Sequence, residues 1–299
     1  MTGTGGRPRE LSLHLPLGSA GADGDAVAIT PESAGWRFAG LRVIDLEAGA
    51  TRALSTGTLE MLVVPLKGGG EVEVDGEPFA LEGRESVFDR VTDFVYLPIG
   101  VEARLSSPGG GTFALPSARA ERRFPAAYGA ADQVAIEVRG AGPATRQLTN
   151  FFAPDVMEAH RLVAVEVLTP PGNTSSWPPH KHDAAVPGGE AELEEIYYFR
   201  FERQDAFGLH RTYAAGGDFD VTVAVGNGDA FLVPRGYHGP CVALPGYAMY
   251  YLNVLAGPGE KRSLAFSDDP RHAWVRPSWA GVPPDPRVPM TTALGRRTP

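Results

Sequence analysis

The sequence has little cysteine, little basic charge and no long apolar run, and each shortage excludes a class of protein. Cys241 is the single cysteine in 299 residues, which excludes an intrachain disulfide and favours a reducing compartment. Lys and Arg number 27 against 36 Asp and Glu, and the net charge of −9 argues against nucleic acid or anionic lipid as a partner. No apolar run approaches the roughly 20 residues of a spanning helix, and residues 1–21 lack the apolar core of a signal peptide. We therefore expect a soluble, cytoplasmic protein.

Helical periodicity is also scarce, whereas short strand-like runs are frequent. The 37 Gly and 27 Pro residues follow no fixed period, which suits short strands joined by tight turns. Residues 117–134 are interpreted as a short helix or a linker, and the tail from Ser267 as an extended arm that packs on the body or on another subunit. Strands are predicted at Leu59–Lys67, Gly70–Val74, Phe94–Leu97, Leu162–Leu168, Glu195–Phe201, Phe219–Val225 and Ala248–Leu255.

Two segments of the first half recur in the second half. Leu59–Val64 (LEMLVV) aligns with Leu193–Tyr198 (LEEIYY) at an offset of 134, and Phe94–Gly100 aligns with Ala230–Gly236 at an offset of 136. Two matches at nearly one offset predict two copies of a single β-domain. The predicted units are an N-terminal domain (1–125), a C-terminal domain (126–266) and a C-terminal arm (267–299).

Three of the seven histidines fall in a pattern that suits a metal ion. His180 and His182 are two residues apart, so on a strand their side chains share a face while Lys181 points away. Glu195 opens the next strand, and His238 follows a Pro-x-Gly turn. Three neutral imidazoles and one carboxylate suit Zn, Mn, Ni, Fe or Co and leave coordination positions for water or substrate.

Glu194 and Glu195 compete for the carboxylate position, because alternation lets only one face the barrel interior. The repeat aligns Glu195 with Met61, an inward apolar residue, and Glu194 with Glu60, so we favour Glu195. In the N-terminal copy, Met61 replaces the glutamate and Glu102 stands in the place of the third histidine. We therefore expect that copy to bind no metal by this chemistry and to be structural.

These segments resemble the cupin superfamily. The second cupin motif, Gly-x₅-Pro-x-Gly followed by His, is matched by Gly228, Pro234, Gly236 and His238, although His238 comes two residues after the glycine and not the usual three. The interval from the His-x-His pair to Glu195 is also longer than usual, and its Gly- and Pro-rich residues can loop out. The resemblance implies an all-β bicupin, with two β-barrel domains of the double-stranded β-helix type.

A narrower resemblance covers most of the C-terminal half densely and the N-terminal half more loosely. The chain resembles the 5-deoxy-glucuronate isomerase family of inositol catabolism, which is related to the 5-keto-4-deoxyuronate isomerases of pectin breakdown. It implies a metal-dependent aldose–ketose isomerase of a small sugar acid, with one divalent ion (Zn, Mn, Ni or Fe), and by analogy with bicupins a homo-oligomer. The resemblance rests on Thr169–Asn173, Ser175–Ser176, Pro178–Asp183, Leu193–Tyr198, Gly236–His238, Gly246–Tyr247, Tyr250–Val254 and Ala256–Pro258.

The residues that move the proton are less well marked. Glu166 is a carboxylate in an apolar strand, and if it faces the barrel its pKa would rise toward that of a general base; otherwise it lies on the surface. Tyr197 shares the face of Glu195 by alternation, and one of Tyr250 and Tyr251 points inward. Our candidates are Glu166, Tyr197 and Tyr251, with core packing as the alternative for the tyrosines.

The substrate carboxylate requires a cation, for which Lys181 and Arg235 are the candidates. Three other functions stay open from the sequence. One is an isomerase of the pectin-pathway type, the second is an iron- or copper-dependent cupin dioxygenase that uses the same four ligands and consumes oxygen, and the third is a non-catalytic sugar-binding bicupin.

Overall fold

The chain folds almost entirely into β-strands. The structure, a computed structural model, describes residues 12–297. In this range no helix is long and apolar enough to cross a membrane. The first strands are β1 (His14–Leu15), β2 (Val27–Ile29), β3 (Ala39–Leu46), β4 (Ala50–Ser55), β5 (Leu59–Val74), β6 (Glu77–Arg84), β7 (Phe94–Leu97), β8 (Glu102–Ser107), β9 (Gly111–Arg119) and β10 (Ala127–Gly129).

A 3₁₀ turn (Ala131–Gln133) and one short helix, α1 (Val275–Ser278), are the helical elements of the described residues. The later strands are β11 (Ala135–Arg139), β12 (Arg146–Phe152), β13 (Val163–Thr169), β14 (Thr174–Ser175), β15 (His180–Lys181), β16 (Asp183–Val186), β17 (Glu190–Glu192), β18 (Glu194–Phe201), β19 (Phe207–Tyr213), β20 (Asp220–Gly226), β21 (Ala230–Val233), β22 (Tyr237–Ala243), β23 (Met249–Ala256), β24 (Ser267–Asp268), β25 (Thr291–Thr292) and β26 (Gly295–Arg296).

The two main sheets have the same topology, which confirms the internal repeat. The order β7-β5-β9-β3-β2 in one sheet matches β21-β18-β23-β13-β12 in the other. The register agrees as well, because Met61 lies opposite Leu97 and Glu195 lies opposite Val233. These pairs are related by the offsets 134 and 136 found in the sequence. The folding pattern is therefore duplicated down to the residue pairing.

Apolar side chains form three large cores and a small fourth cluster of Val163, Leu193 and Leu255. One core fills the N-terminal barrel and contains Met61, Val63 and Leu105; another fills the C-terminal barrel and contains Phe199, Phe231 and Tyr251. The third lies between the two main sheets and takes residues from both halves. Because each main sheet has one face in its own barrel and the other against its partner sheet, its central strands are buried on both sides.

Two glutamates tie the halves together reciprocally. Glu60 on β5 accepts hydrogen bonds from the backbone N–H groups of residues 160–162, just ahead of β13, at 2.6–2.8 Å, and from the Tyr96 hydroxyl at 2.9 Å. Its repeat counterpart Glu194 on β18 accepts from the N–H groups of residues 37–39, at the start of β3, at 2.8–2.9 Å. Each half thus supplies a carboxylate acceptor for backbone N–H groups of the other half, most of which are buried or partly buried.

The structure refines several expectations from the sequence. The two predicted strands between residues 59 and 74 form one strand, β5, whose pairing is irregular near Gly68 and Gly70. The stretch 117–134 contributes only the 3₁₀ turn as helix. The arm packs on the body of the chain, since β24 pairs with β15 and Gln147 hydrogen bonds to Thr291.

Strand pairing also bears on the predicted domain division, which stays a proposal. β10 pairs with β7 of the N-terminal sheet, whereas β1 pairs with β21 of the C-terminal sheet, His14 lying opposite Phe231. The chain therefore passes from the N-terminal sheet to the C-terminal sheet between Gly129 and Ala135. The strand β1, although it comes first in the described chain, belongs to the C-terminal sheet. Residues 1–11 and 298–299 of the predicted units lie outside the described residues.

Candidate metal centre

His182, Glu195 and His238 converge inside the C-terminal barrel. One candidate ligand atom from each lies within 4.8 Å of the others, and all three residues are buried. The Oε2 atom of Glu195 is 3.0 Å from Nε2 of His182 and 3.2 Å from Nε2 of His238. His180 is not in this tightest set, but its ring centroid lies 4.5 Å from that of His238. All four predicted ligands are thus gathered at one place.

Local backbone geometry brings these side chains together. β15 pairs with β22 so that His180 lies opposite His238. The residue after His238 is Gly239, with φ +97°, and a Cβ there would lie 1.8 Å from the carbonyl oxygen of Ser176. Only glycine allows this approach. Ser176 itself has φ +46°, in the left-handed region that non-glycine residues rarely adopt, and such backbone is common at functional sites.

The histidines are oriented as metal ligands would be. Nδ1 of His180 lies 3.1 Å from the Pro178 carbonyl, and Nδ1 of His182 lies 3.1 Å from the Leu193 carbonyl. Each Nδ1 can donate to its carbonyl, which leaves Nε2 as the free lone pair. Both ring nitrogens of His238 are buried, and neither has a hydrogen-bond partner within residues 12–297. The nitrogen lone pairs converge on a carboxylate, and the His238 ring lacks a hydrogen-bond partner. This arrangement fits a divalent cation.

Burial keeps two of the rings neutral. It lowers the pKa of His180 to about 3, with the charge of His182 acting in the same direction, and it lowers the pKa of His238 well below its usual range. For His182, burial also favours the neutral ring, but the hydrogen bond to Glu195 and its charge prevail and raise the pKa. Neutral imidazole is the form that binds metal, so His180 and His238 need no deprotonation.

The choice between the two adjacent glutamates is visible in the side-chain directions. Glu195 points into the cluster, whereas Glu194 points to the other face of β18, where it accepts the backbone donors of residues 37–39. The alternation argument from the sequence therefore matches the observed placement. As ligands, the four residues stay a proposal.

A small cavity of about 120 Å³ opens beside the cluster. It is lined by alternate residues of four neighbouring strands of the sheet, as one face of a pleated sheet requires. The lining includes, from β12, Arg146, Leu148 and Asn150; from β13, Val165 and Val167; from β18, Glu195 and Tyr197; and from β23, Tyr251, Asn253 and Leu255. The cavity thus has room for a ligand next to the metal-type cluster.

Two predicted tyrosines meet in this cavity. The hydroxyls of Tyr197 and Tyr251 lie 3.2 and 3.1 Å from Oγ of Ser176. Burial raises the pKa of both phenols, that of Tyr197 well above its usual range. Both therefore stay protonated and can donate hydrogen bonds. Tyr250 points to the opposite face, toward the core between the sheets.

Glu166 does not line this cavity, so it lacks the inward orientation on which its prediction as a general base depended. Its neighbours Val165 and Val167 line the cavity, so alternation directs Glu166 into the layer between the two halves. There it forms a buried ion pair with Arg84 and accepts a 2.7 Å hydrogen bond from the Tyr250 hydroxyl. Its position is neither the barrel interior nor the surface, and it lies away from the reacting groups.

The two cations predicted to bind substrate also point elsewhere. Nζ of Lys181 is held by Asp183 at 2.7 Å and by Glu190 at 2.8 Å. Arg235 is 56% exposed and pairs with Asp218 outside the barrel. Both residues flank the cluster in sequence, but the strand and turn that carry them direct their side chains away from the cavity.

In the N-terminal copy, Met61 packs in the apolar core of its barrel and Glu102 is exposed, hydrogen bonded by Ser55. The corresponding positions of the C-terminal copy hold Glu195 and His238. That the N-terminal copy is structural stays a prediction.

Five polar residues of the cavity were not predicted from the sequence as site residues: Arg139, Arg146, Asn150, Ser176 and Asn253. Arg146 and Asn150 alternate with Leu148 along β12, a strand in which every residue except the partly buried Asn150 is buried, and Asn253 interrupts the apolar run AMYYLNVL. A polar residue inside a fully buried strand needs a partner, and that signal could have marked these positions.

A duplicated β-barrel with a cluster of three histidines and one glutamate in a single copy defines a bicupin with one candidate metal site. The family model described as "KduI/IolB family" matches residues 14–275. The chain belongs to this family.

Named relatives and solved structures agree with that assignment. The 5-deoxy-glucuronate isomerase of Geobacillus kaustophilus is 38% identical over 268 residues, 89% of this chain and 96% of the relative. The crystal structure of an IolB-like protein from Salmonella typhimurium has a TM-score of 0.83 at 36% identity and covers 89% of this chain and 99% of its own. Oxalate decarboxylase of Bacillus subtilis, described with Mn(II) centres, has a TM-score of 0.57 at 12% identity, covering 81% and 74%. At that identity it supports the fold alone.

Proposed function

We propose that this protein is a metal-dependent aldose–ketose isomerase that converts 5-deoxy-D-glucuronate to 2-deoxy-5-keto-D-gluconate in inositol catabolism. The observation that carries the proposal is the buried cluster of His182, Glu195 and His238, with His180 beside it, in a chain 38% identical to a 5-deoxy-glucuronate isomerase. The cavity beside this cluster gives a small sugar acid a place to bind next to the proposed metal ligands.

We propose His180, His182, Glu195 and His238 as the ligands of one divalent ion, Zn, Mn, Ni or Fe. The ion would polarise the substrate carbonyl and make the neighbouring C–H more acidic. The carbonyls of Pro178 and Leu193 hold the rings of His180 and His182 so that their Nε2 atoms face the place where the ion would bind.

Tyr197 and Tyr251 are our candidates for handling protons in the reaction. Isomerisation moves one hydrogen between adjacent carbons and one between their oxygens, so a hydroxyl that both donates and accepts is required. The two phenols share Ser176 as a partner, which links them into one chain of hydroxyls beside the cluster. Glu166 pairs with Arg84 between the two halves, and we therefore propose the two tyrosines in its place.

Tyr197→Phe and Tyr251→Phe are each expected to lower kcat about 10- to 100-fold, with little change in KM. Each loses one hydroxyl from the chain while keeping the packed ring. The matched control is Tyr198→Phe, which changes a buried tyrosine on the opposite face of the same strand. If both cavity variants kept wild-type kcat, the tyrosines would be packing residues only.

The function is tested with chelator-stripped protein that is given Mn, Zn, Ni or Fe separately. Formation of the ketose from 5-deoxy-D-glucuronate is followed while dissolved oxygen is monitored, and a 5-keto-4-deoxyuronate is assayed in parallel. Metal-restored isomerisation without oxygen uptake is expected, and deuterium incorporation from D₂O would identify proton transfer. Oxygen consumption, or metal binding without turnover of either sugar acid, would contradict the proposal. Self-association and a cytoplasmic location stay predictions from the sequence.

A further inference from the structure

Arg146 is a buried cation that has no anionic partner among residues 12–297. It opens β12 and is 4% exposed. Both of its side-chain hydrogen bonds leave from Nη1 and end on backbone carbonyls, of Ala144 at 3.1 Å and of Trp177 at 3.3 Å. Burial lowers its pKa to about 10, so it stays protonated at neutral pH. A charge buried in this way is costly unless a ligand supplies the counter-charge.

The free side of this guanidinium belongs to the same cavity as the metal cluster. Arg146 lines that cavity together with His180 and Asn253. Nδ2 of Asn253 is a buried donor without a hydrogen-bond partner in the described chain. The cavity therefore presents unpaired donors, and Glu195 is the one acidic residue among its lining residues.

The second arginine of the cavity offers a direct contrast. Arg139 also lines it, but its guanidinium is already neutralised by Glu137, with contacts of 2.7 and 2.8 Å, and its side chain is 34% exposed. An incoming carboxylate would have to compete with Glu137 there. At Arg146, Nε and Nη2 have no partner in residues 12–297 and form the planar fork that matches a carboxylate.

We propose that Arg146 binds the carboxylate of the sugar-acid substrate, while the carbonyl end of the same molecule lies at the histidine–glutamate cluster and Asn253 donates to a hydroxyl between them. This inference rests on the proposed function and assigns a substrate-binding residue to it. In 5-deoxy-D-glucuronate three carbons separate the carboxylate from the two carbons that react. Anchoring the far end therefore fixes the direction in which the sugar enters.

The test compares Arg146→Met and Arg146→Lys with wild-type protein, all metal-loaded. KM for 5-deoxy-D-glucuronate is expected to rise about 10- to 100-fold in Arg146→Met, and less in Arg146→Lys, which keeps the charge but loses the fork. Arg211→Met, which removes a surface arginine paired with Asp220, is the matched control and should keep wild-type KM. As a readout apart from turnover, the thermal shift that 5-deoxy-D-glucuronate gives wild-type protein should be lost in Arg146→Met.

A neutral analogue makes the test independent of folding defects. 5-Deoxy-D-glucose carries CH₂OH in place of the carboxylate, and wild-type protein should bind it at least about tenfold more weakly than the acid, whereas Arg146→Met should not discriminate. Equal binding of acid and neutral sugar by wild-type protein would overturn the proposal, as would a KM increase in Arg139→Met that Arg146→Met lacks. If wild-type protein binds the acid through Arg146 but does not isomerise it, the proposed function fails and the carboxylate site stands.

Discussion

His238→Ala is expected to lose the bound metal ion and to lower kcat/KM by about 1,000-fold, which corresponds to about 4 kcal/mol of transition-state stabilisation. His238 is central to the cluster, because its ring lies within 4.5–4.8 Å of the rings of His180 and His182 and its Nε2 is 3.2 Å from Glu195. The variant keeps only part of the ligand set. Metal content by elemental analysis and initial rates at saturating metal measure the two losses.

The fold of this variant should persist. Neither ring nitrogen of His238 is hydrogen bonded within the described chain, so the substitution removes no such bond and leaves no donor unpaired. Metal-free variant and metal-free wild-type protein should therefore unfold at similar urea concentrations. His272→Ala, which changes a histidine outside the cluster, is the control. Full metal content and activity in His238→Ala would disprove the proposed centre, and equal losses in the control would point to a general defect.

Glu166→Gln is expected to reduce the free energy of unfolding by about 3–5 kcal/mol. The substitution leaves the Arg84 guanidinium buried without its counter-charge, in a layer where both side chains are almost inaccessible. It also weakens the acceptor of the Tyr250 hydroxyl. Urea unfolding of metal-loaded protein measures the change, and kcat of the folded fraction at low temperature should stay within a few-fold of wild type.

Glu82→Gln is a matched control for this prediction. Glu82 also pairs with an arginine, Arg90, but it is 68% exposed, and an exposed pair of this kind contributes at most about 1 kcal/mol. The double variant Arg84→Met/Glu166→Leu should recover part of the lost stability, because it removes both charges at once. If Glu166→Gln lowered kcat strongly without changing stability, the result would instead support Glu166 as the general base.

The metal cluster could be predicted because its information is local. His180 and His182 share a strand face, and the same alternation separates Glu195 from Glu194, whose side chain lies on the other face in the structure. The repeat showed which face of the strand is inward, because it aligns Glu195 with the apolar Met61. Strand positions followed from short apolar runs, and Phe94–Leu97 was predicted with both of its ends.

Glu166 and Arg146 could not be placed because their surroundings are set by distant parts of the chain. Every residue of β13 is buried, so no polar face shows which side of the strand is the barrel interior. The partner of Glu166 is 82 residues away in the other barrel. Arg146 is distinguished only by an unpaired charge, which becomes visible when all neighbours are known. The turn carrying Arg235 directs its side chain outward, for which the sequence has no signal.

The reciprocal contacts of Glu60 and Glu194 have a consequence for how this chain can evolve. Each half makes the same glutamate-to-backbone contact to the other half. Such equivalent contacts in both directions are typical of the interface of a two-fold symmetric dimer. The N-terminal half therefore cannot be deleted as surplus, because its Glu60 supplies the acceptor for backbone donors just ahead of β13, a strand of the barrel that holds the histidine–glutamate cluster. Interior positions of this half, such as Met61, are then free to lose metal-binding residues, whereas Glu60 stays under selection. A homologue without this half would need another element to cover the apolar outer face of the sheet that carries the site.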